Sequence, residues 1–332
     1  MEQTIPILHL IDHRAGVNAQ SRGLIEALSD LRSLSIHELS VGRIADWKAV
    51  VAHAFPAVAI ARNADVPIDV SKPAMVIGCG RHAAALSAGL GSRHAPVFSV
   101  HLQKPPYPLD RYNAVIAPSH DALQGDNVIS SLGALGSVTP ESVRLASQDL
   151  PGAWGGVDPK ILAVLIGGDS KAHVFTRQAQ NSLLESVKSL SGAGWRLRIT
   201  LSRRSPSYLK ESLRRDFQGR DCSVYDPETD HGQNPYPGML NGVTAALVTG
   251  DSANLISEAV SARVPTLIFH VPKRRFGSNK FEVFYRDLLG QGLAKPFKGS
   301  IEQWALPEFN EARRIAPMVL DRFDQFSRAF RR

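Results

Sequence analysis

The run ILAVLIGGDSKAHVFTRQAQNSLLESVKSL, residues 161–190, decides the fold. Residues 161–166 are apolar without alternation, which marks a strand covered on both faces. Gly167, Gly168, Asp169, Ser170 and Lys171 break that run, and residues 176–190 carry a helical pattern. Strand, glycine loop and helix in this order form the repeating unit of a parallel sheet with helices on both sides.

The alternation extends in both directions. Downstream, strands are expected at 195–201, 222–225, 245–249 and 265–271. Helices are expected at 206–217, 254–262 and 280–291, with a loop at 234–241 leading into a short helix. Upstream, strands are expected at 5–11, 35–39, 74–77, 96–102 and 114–117, with helices at 19–31 and 82–88. The segment QDLPGAWGGVDP, 148–159, has no period and is rich in Gly and Pro, so it reads as a linker. The expected organisation is α/β: two doubly wound, Rossmann-like parallel-sheet domains, 1–152 and 153–310, facing a cleft. Residues 311–332 read as a helix with Ile315, Val319, Phe323, Phe326 and Phe330 as its apolar stripe. Packing back on the first domain is the favoured reading of that stripe, ahead of lying on a membrane.

Composition narrows the function. The chain has 332 residues, 43% hydrophobic and 21% charged, which is ordinary globular usage. No apolar run approaches the ~18 residues of a membrane span. The N-terminal stretch lacks a basic leader region, so a cytoplasmic location is expected. Cys79 and Cys222 are too few for a disulfide framework or a cysteine zinc site. The net charge of +7 favours anionic partners. The cations are dispersed and no aromatic RNA-binding motif accompanies them, so nucleic acid is not expected.

Several loops carry groups suited to chemistry. Gly167 and Gly168 would let backbone N–H groups approach an anion, with Ser170 and Lys171 adding a hydroxyl and a cation. A tight turn capped by Asp169 or Ser170 explains the same residues equally well. Ser202 and Arg203 follow the next strand, at the edge where parallel sheets bind ligands; an exposed basic turn is the competing reading. Asp251 and Ser252 open the helix that carries Glu258, a carboxylate among apolar residues that needs hydrogen-bond donors. A ribose diol would supply two. In the first half, Asp12, His13, Arg14, Gly16 and Asn18 follow the first strand, and Arg81 and His82 follow a glycine turn. Asp12 and His13 are the candidate acid–base pair, although adjacency does not make two side chains face each other. No spacing indicates a metal.

The motifs DHRAGVNAQ (12–20), VIGCGRH (76–82), APSHD (117–121), SLGALGSVTPE (131–141), LIGGDSK (165–171), TLSRRSP (200–206), NPYPGML (234–240) and VTGDSANLISEA (248–259) together resemble the bacterial branch of the ELM, or elongated mitochondria, family. Plant members of that family act in mitochondrial fission. The second half also resembles the donor domain of GT-B glycosyltransferases, through Gly167–Ser170, Asp251–Glu258, 265–269 and 279–284. The resemblance implies a nucleotide-sugar pocket in which Gly167, Gly168 and Ser170 approach the diphosphate and Glu258 binds the ribose. It places the acceptor side near Asp12–Asn18 and Arg81. Asp169 departs from the pattern by placing a negative charge in the phosphate turn.

The expected function is therefore that of an inverting, metal-independent GT-B glycosyltransferase without a cofactor. Its donor would be a UDP-, GDP- or CMP-linked sugar. Its acceptor would be a lipid-linked or envelope glycan, with peripheral contact at the inner membrane. The alternative is a non-catalytic adaptor of the same fold that recruits a partner at a membrane. A dinucleotide-dependent oxidoreductase or epimerase lacks GxGxxG and a placed Tyr–Lys pair.

Overall fold

A computed structural model describes residues 4–41, 72–93, 96–136, 138–155, 160–217, 222–275 and 280–330. They divide into two compact units, Met1–Ser137 with Asn310–Arg332, and Val138–Phe309.

In the first unit the chain runs β1 (Ile5–Ile11), α1 (Ala15–Ser29), β2 (Leu34–Ser40), β3 (Ala74–Cys79), α2 (Gly80–Arg93), β4 (Val97–Leu102), β5 (Ala114–Pro118) and β6 (Val128–Ser131). The six strands are parallel, in the order β2-β1-β3-β4-β5-β6. The central β3 and β4 are buried throughout, whereas the edge strand β2 is largely exposed. That difference explains why β3 reads as an apolar run and β2 as a mixed one.

The second unit runs α3 (Pro140–Ser147), β7 (Ile161–Ile166), α4 (Arg177–Gly192), β8 (Arg196–Leu201), α5 (Ser207–Phe217), β9 (Cys222–Tyr225), β10 (Ala245–Thr249), α6 (Ala253–Ser261), β11 (Thr266–Phe269), α7 (Lys280–Gly290) and β12 (Ala294–Pro296). Its parallel sheet has the order β12-β11-β10-β7-β8-β9. Thr176 caps α4 by accepting from the Ala179 amide. Ala179, Leu183, Leu184, Val187 and Leu190 form the buried face of α4 against this sheet, each leucine contributing roughly 1.5–3 kcal/mol by burial.

The division falls at Ser137/Val138, ahead of the glycine- and proline-rich stretch 148–159. The reason is α3. A Thr139–Ser142 capping box starts it, Ser147 Oγ accepts from Asn241 Nδ2 at 2.9 Å, and a side chain at Gly238 would collide with the Ala146 carbonyl. The helix is thus built into the second unit. Residues 156–159 of that stretch lie outside the described residues.

The final helix, α8 (Glu311–Phe330), returns to the first unit. Ile315, Val319 and Phe323 are buried with Leu24 and Leu28 of α1, and Phe98 meets Phe323 and Phe326 edge-on. The apolar stripe is therefore occupied by core packing as far as Phe326, and Phe330 is 44% exposed. Glu311 fixes the start of the helix by accepting from the Leu132 amide at 2.7 Å. Among the described residues, no helix is long and apolar enough to cross a membrane.

Candidate functional site

In each sheet, neighbouring strands at one point send their connections in opposite directions: β1 beside β3, and β7 beside β10. The crevice outside the carboxyl ends of such strands is where open α/β sheets bind ligands. The expected site residues gather at these two places.

At the first, Asp12 follows β1 with its side chain fully buried. Arg14 grips it as a fork, Nε to Oδ1 at 3.0 Å and a terminal nitrogen to Oδ2 at 2.8 Å, while the Arg14 amide donates to Oδ1 at 2.9 Å. Asn18 closes the turn from within α1: its Oδ1 accepts from the Asp12 amide and its Nδ2 donates to the Asp12 carbonyl. The helix begins at Ala15, so Gly16 and Asn18 lie in its first turn and not in a loop. The reason is that Asp12 and Asn18 satisfy the backbone there without further residues. His13, 38% exposed, places Nδ1 3.0 Å from Asp12 Oδ1, and the His82 ring lies edge-on to it at 5.1 Å. Arg81 is exposed on the first turn of α2.

Burial would raise the Asp12 carboxyl, but hydrogen bonds and charge from Arg14, aided by His13, hold it below the usual carboxylate range. Burial lowers His82 against the pull of Asp12, with the charges of Arg14, His13 and Arg81 adding to the fall. Asp12, His13 and His82 offer ligand atoms within 4.8 Å of one another. Both Asp12 oxygens already serve Arg14, so a divalent cation would have to displace the guanidinium. The arrangement suits an imidazole whose Nδ1 lies beside a carboxylate, leaving Nε2 for a substrate proton.

At the second crevice the glycine loop faces inward. The Gly167 amide donates to Thr249 Oγ1 and the Gly168 amide to Asp251 Oδ2, both at 2.8 Å. Thr249 in turn donates to Asp251 Oδ1 at 2.7 Å. A Cβ at Gly167 would lie 2.1 Å from Asp251 Oδ2, and one at Gly168 would lie 1.9 Å from the Arg204 carbonyl oxygen. Close approach to protein, rather than to a ligand, accounts for both glycines. Burial raises the Asp251 carboxyl, against the Gly168 amide, Thr249 and Arg204. Ser170 is also committed: its Oγ accepts from the Ala172 and His173 amides. Asp169 accepts from the Phe175 amide and pairs with Arg274 at 3.3 Å, which neutralises the charge noted in the turn.

Ser202 belongs to a turn in which its Oγ accepts from the Arg204 amide and shares a hydrogen bond with Ser205. Arg204, the neighbour of the expected Arg203, reaches Asp251 at 3.4 Å and donates to the Asp169 carbonyl. Arg203 and Lys171 are exposed. Ser252 caps α6. Glu258, on the same helix, accepts from the Tyr236 hydroxyl. Burial lifts the Glu258 carboxyl to about 7, and the Tyr236 bond opposes that rise. Arg198 is fully buried in β8 and donates to the Met239 and Asn241 carbonyls at 3.0 and 2.9 Å, bracing the turn that follows Tyr236. Burial, with Arg196 nearby, pulls its guanidinium down to about 10.

The structure therefore unites Asp12 with His13, Arg14 and Asn18, and Gly167 and Gly168 with Asp251. Thr249, Arg204, Tyr236 and Arg198 were not singled out from the sequence. Tyr236 lies inside the NPYPGML motif and Arg204 inside SRRSP, but only geometry distinguishes them from their neighbours. His101 is wholly buried in β4, where burial lowers it to about 3. Asn279 lies outside the described residues.

Residues 15–323 match the model of the family described as mitochondrial fission ELM1. The chain belongs to that family. It is 26% identical over 276 residues to the mitochondrial fission protein ELM1 of Arabidopsis thaliana, covering 74% of this chain and 63% of that protein. The chain thus spans under two thirds of its curated relative's length. Among solved structures it is similar to the UDP-GlcNAc 2-epimerase of Methanocaldococcus jannaschii in complex with UDP-GlcNAc and UDP. That match has a TM-score of 0.54 and 11% identity, over 96% of this chain and all of that one. It is also similar to the UDP-N-acetylglucosamine 2-epimerase of Rickettsia bellii, with a TM-score of 0.55 and 10% identity, over 98% of each chain. These likenesses bear on the fold alone: this chain has two doubly wound parallel sheets of the GT-B-like class.

Proposed function

We propose that this ELM-family chain is a nucleotide-sugar-dependent glycosyltransferase of GT-B type, inverting and independent of metal, with a cell-envelope acceptor. The observation that carries the reading is His13, part-exposed at a strand crevice, with its Nδ1 3.0 Å from the buried Asp12 carboxylate. An acceptor hydroxyl gives its proton to His13 Nε2 as its oxygen bonds to the anomeric carbon. The bond from that carbon to the donor diphosphate breaks, and the nucleoside diphosphate leaves. Glu258 takes the ribose hydroxyls. The N-terminus of α6, Ser252, Lys171 and Arg203 face the diphosphate charge. The Gly167 and Gly168 amides already serve Thr249 and Asp251, so they take no part. Structural relatives that carry UDP-GlcNAc or UDP support a nucleotide-sugar ligand at the level of fold alone.

Calorimetric titration with UDP, GDP, CMP and their sugar conjugates tests the reading. One nucleotide should bind saturably and be lost in Glu258→Gln. His13→Ala should keep binding while transfer falls by 10²-fold or more, on the order of general-base loss. The inward-facing glycine amides favour the second reading, a non-catalytic adaptor. Absence of binding by every nucleotide, from folded protein, would select it.

A further inference from the structure

Beneath α7 lies a cavity of about 270 Å³ that the transferase reading does not use. It is bounded by the ends of β10, β11 and β12 and by the loop after β7. Its floor is polar. Gly250 lies there, and a Cβ at Gly250 would lie 2.9 Å from Tyr285 Oη. Tyr285 Oη and His173 Nδ1 are both buried without a hydrogen-bond partner. His173 is 5% exposed and Phe281 meets it edge-on at 4.6 Å. The walls are apolar apart from His270: Ile268, Val271, Phe281, Leu289 and Pro296. The rim is an ion pair, Lys273 with Glu282 at 3.1 Å.

Two buried orphan polar groups in one cavity call for an explanation, since such groups are normally satisfied. His173 is not loosely placed. Its backbone pairs with Lys273 across the two loops, its amide donates to Ser170 Oγ, and the Val174 amide donates to the Pro272 carbonyl. Water alone is a poor occupant of the whole space, because each water needs two to four polar partners and the walls offer few beyond His270. A charged occupant is also poorly suited. It would lose its hydration against apolar walls with the buried Asp251 close behind the floor.

The occupant must therefore be neutral, apolar over most of its surface and polar at one end. A single hydroxyl answers the floor, since it can donate to an imidazole nitrogen and accept from a tyrosine hydroxyl. The aromatic walls of Phe281 and Tyr285 suit a ring. An apolar cavity of about 150 Å³ suffices for benzene, so this one has room for a substituted ring. Burial keeps the His173 imidazole neutral by lowering its pKa, with His270 and Lys273 adding to the effect against Asp251. We infer that this cavity is a binding site for a neutral, hydroxyl-bearing aromatic ring, with the hydroxyl set between His173 and Tyr285. It lies beyond the proposed transferase chemistry and does not depend on nucleotide binding.

Phenol is the probe, with benzene as the apolar control and benzoate as the charged one. Titrations followed by NMR and by thermal shift should show saturable binding of phenol, roughly tenfold tighter than benzene, as one additional hydrogen-bonded group allows. Benzoate should not compete. In Tyr285→Phe the preference for phenol should fall to about threefold or less, with benzene unchanged. On wild-type protein, which needs no variant to fold, phenol protons should give intermolecular NOEs to the Ile268 methyls and the Phe281 ring. Absence of phenol binding, equal affinity for benzene, equal competition by benzoate, NOEs located elsewhere, or an unchanged preference in folded Tyr285→Phe would each overturn the inference.

Discussion

Each unit places a buried aspartate at the strand crevice of its sheet, and their carboxyls are shifted in opposite directions. Asp12 is gripped by a guanidinium fork, which holds its carboxyl low. Asp251 is held mainly by an amide and a threonine hydroxyl, with Arg204 farther away, and burial pushes its carboxyl up. The first arrangement leaves imidazoles at the surface. The second turns the Gly167 and Gly168 amides and the Thr249 hydroxyl inward. Topology puts an acid at the same place twice, and the partners decide whether that acid serves a neighbouring imidazole or the loop itself.

The largest expected effect tests the inward-facing loop. In Gly168→Ala the new Cβ would lie 1.9 Å from a backbone oxygen, which cannot move aside like a side-chain tip. A loss of roughly 3 kcal/mol or more is expected in urea unfolding. The matching change in the first crevice is Gly80→Ala. Its backbone is left-handed, at φ 74°, and the Cβ meets side-chain atoms alone, the flexible end of Arg14 at 3.0 Å and Val17 Cγ1 at 3.2 Å, so a cost of about 1–2 kcal/mol is expected. Equal costs would remove the contrast between the two loops.

Next come the acids. A carboxyl lowered by folding stabilises above its unfolded value, about 3.8, and loses that contribution as the pH falls through its folded value. A raised carboxyl does the reverse: its contribution is full below about 3.8 and is lost as the pH rises through the folded value. Asp12→Asn should therefore cost about 2–3 kcal/mol near neutrality, and the cost should shrink on acidification. The cost of Asp251→Asn should grow on acidification. Denaturation series between pH 3 and 7 check the two signs, and slopes of the same sign would break the comparison.

The sequence made the sheets legible because buried parallel strands such as β7 are continuous apolar runs, and glycine loops punctuate them. It missed β6, a short strand of mixed burial, and α3, whose place in the second unit depends on a contact with Gly238 far along the chain. It could name Asp12 and His13 but not orient them, because neighbouring residues share no fixed direction in a loop. The glycine pair carried an ambiguous signal. Close approach to a phosphate and close approach to Asp251 require the same residue, and only the fold reveals which neighbour is present. A mid-strand arginine such as Arg198 gives no sequence sign that two carbonyls await it.

Glu258 and Tyr236 extend the contrast to a carboxylate left partly open. Folding raises Glu258 from 4.5 to about 7, so the stability it lends is full below about pH 4.5 and is lost as the pH rises through 7. Allowing for its partial exposure, the change should be about 1–2 kcal/mol. Glu258→Gln should flatten that part of the stability profile. In Tyr236→Phe the carboxylate loses a donor that favours its charged form, so the midpoint should move above 7. A midpoint that falls would show that the tyrosine does not hold the carboxylate as described.

The smallest stability effect separates a functional imidazole from a structural one. Asp12 is satisfied by the Arg14 fork and the Arg14 amide without help from His13, and His13 is a partly exposed side chain. His13→Ala should therefore change unfolding free energy by no more than about 0.5 kcal/mol. A group that the fold does not need, held by a carboxylate that the fold does need, is free to be spent on a substrate proton. If His13→Ala instead unfolds the chain as readily as Asp12→Asn, the imidazole is part of the buried network, and the first crevice is as inward-facing as the second.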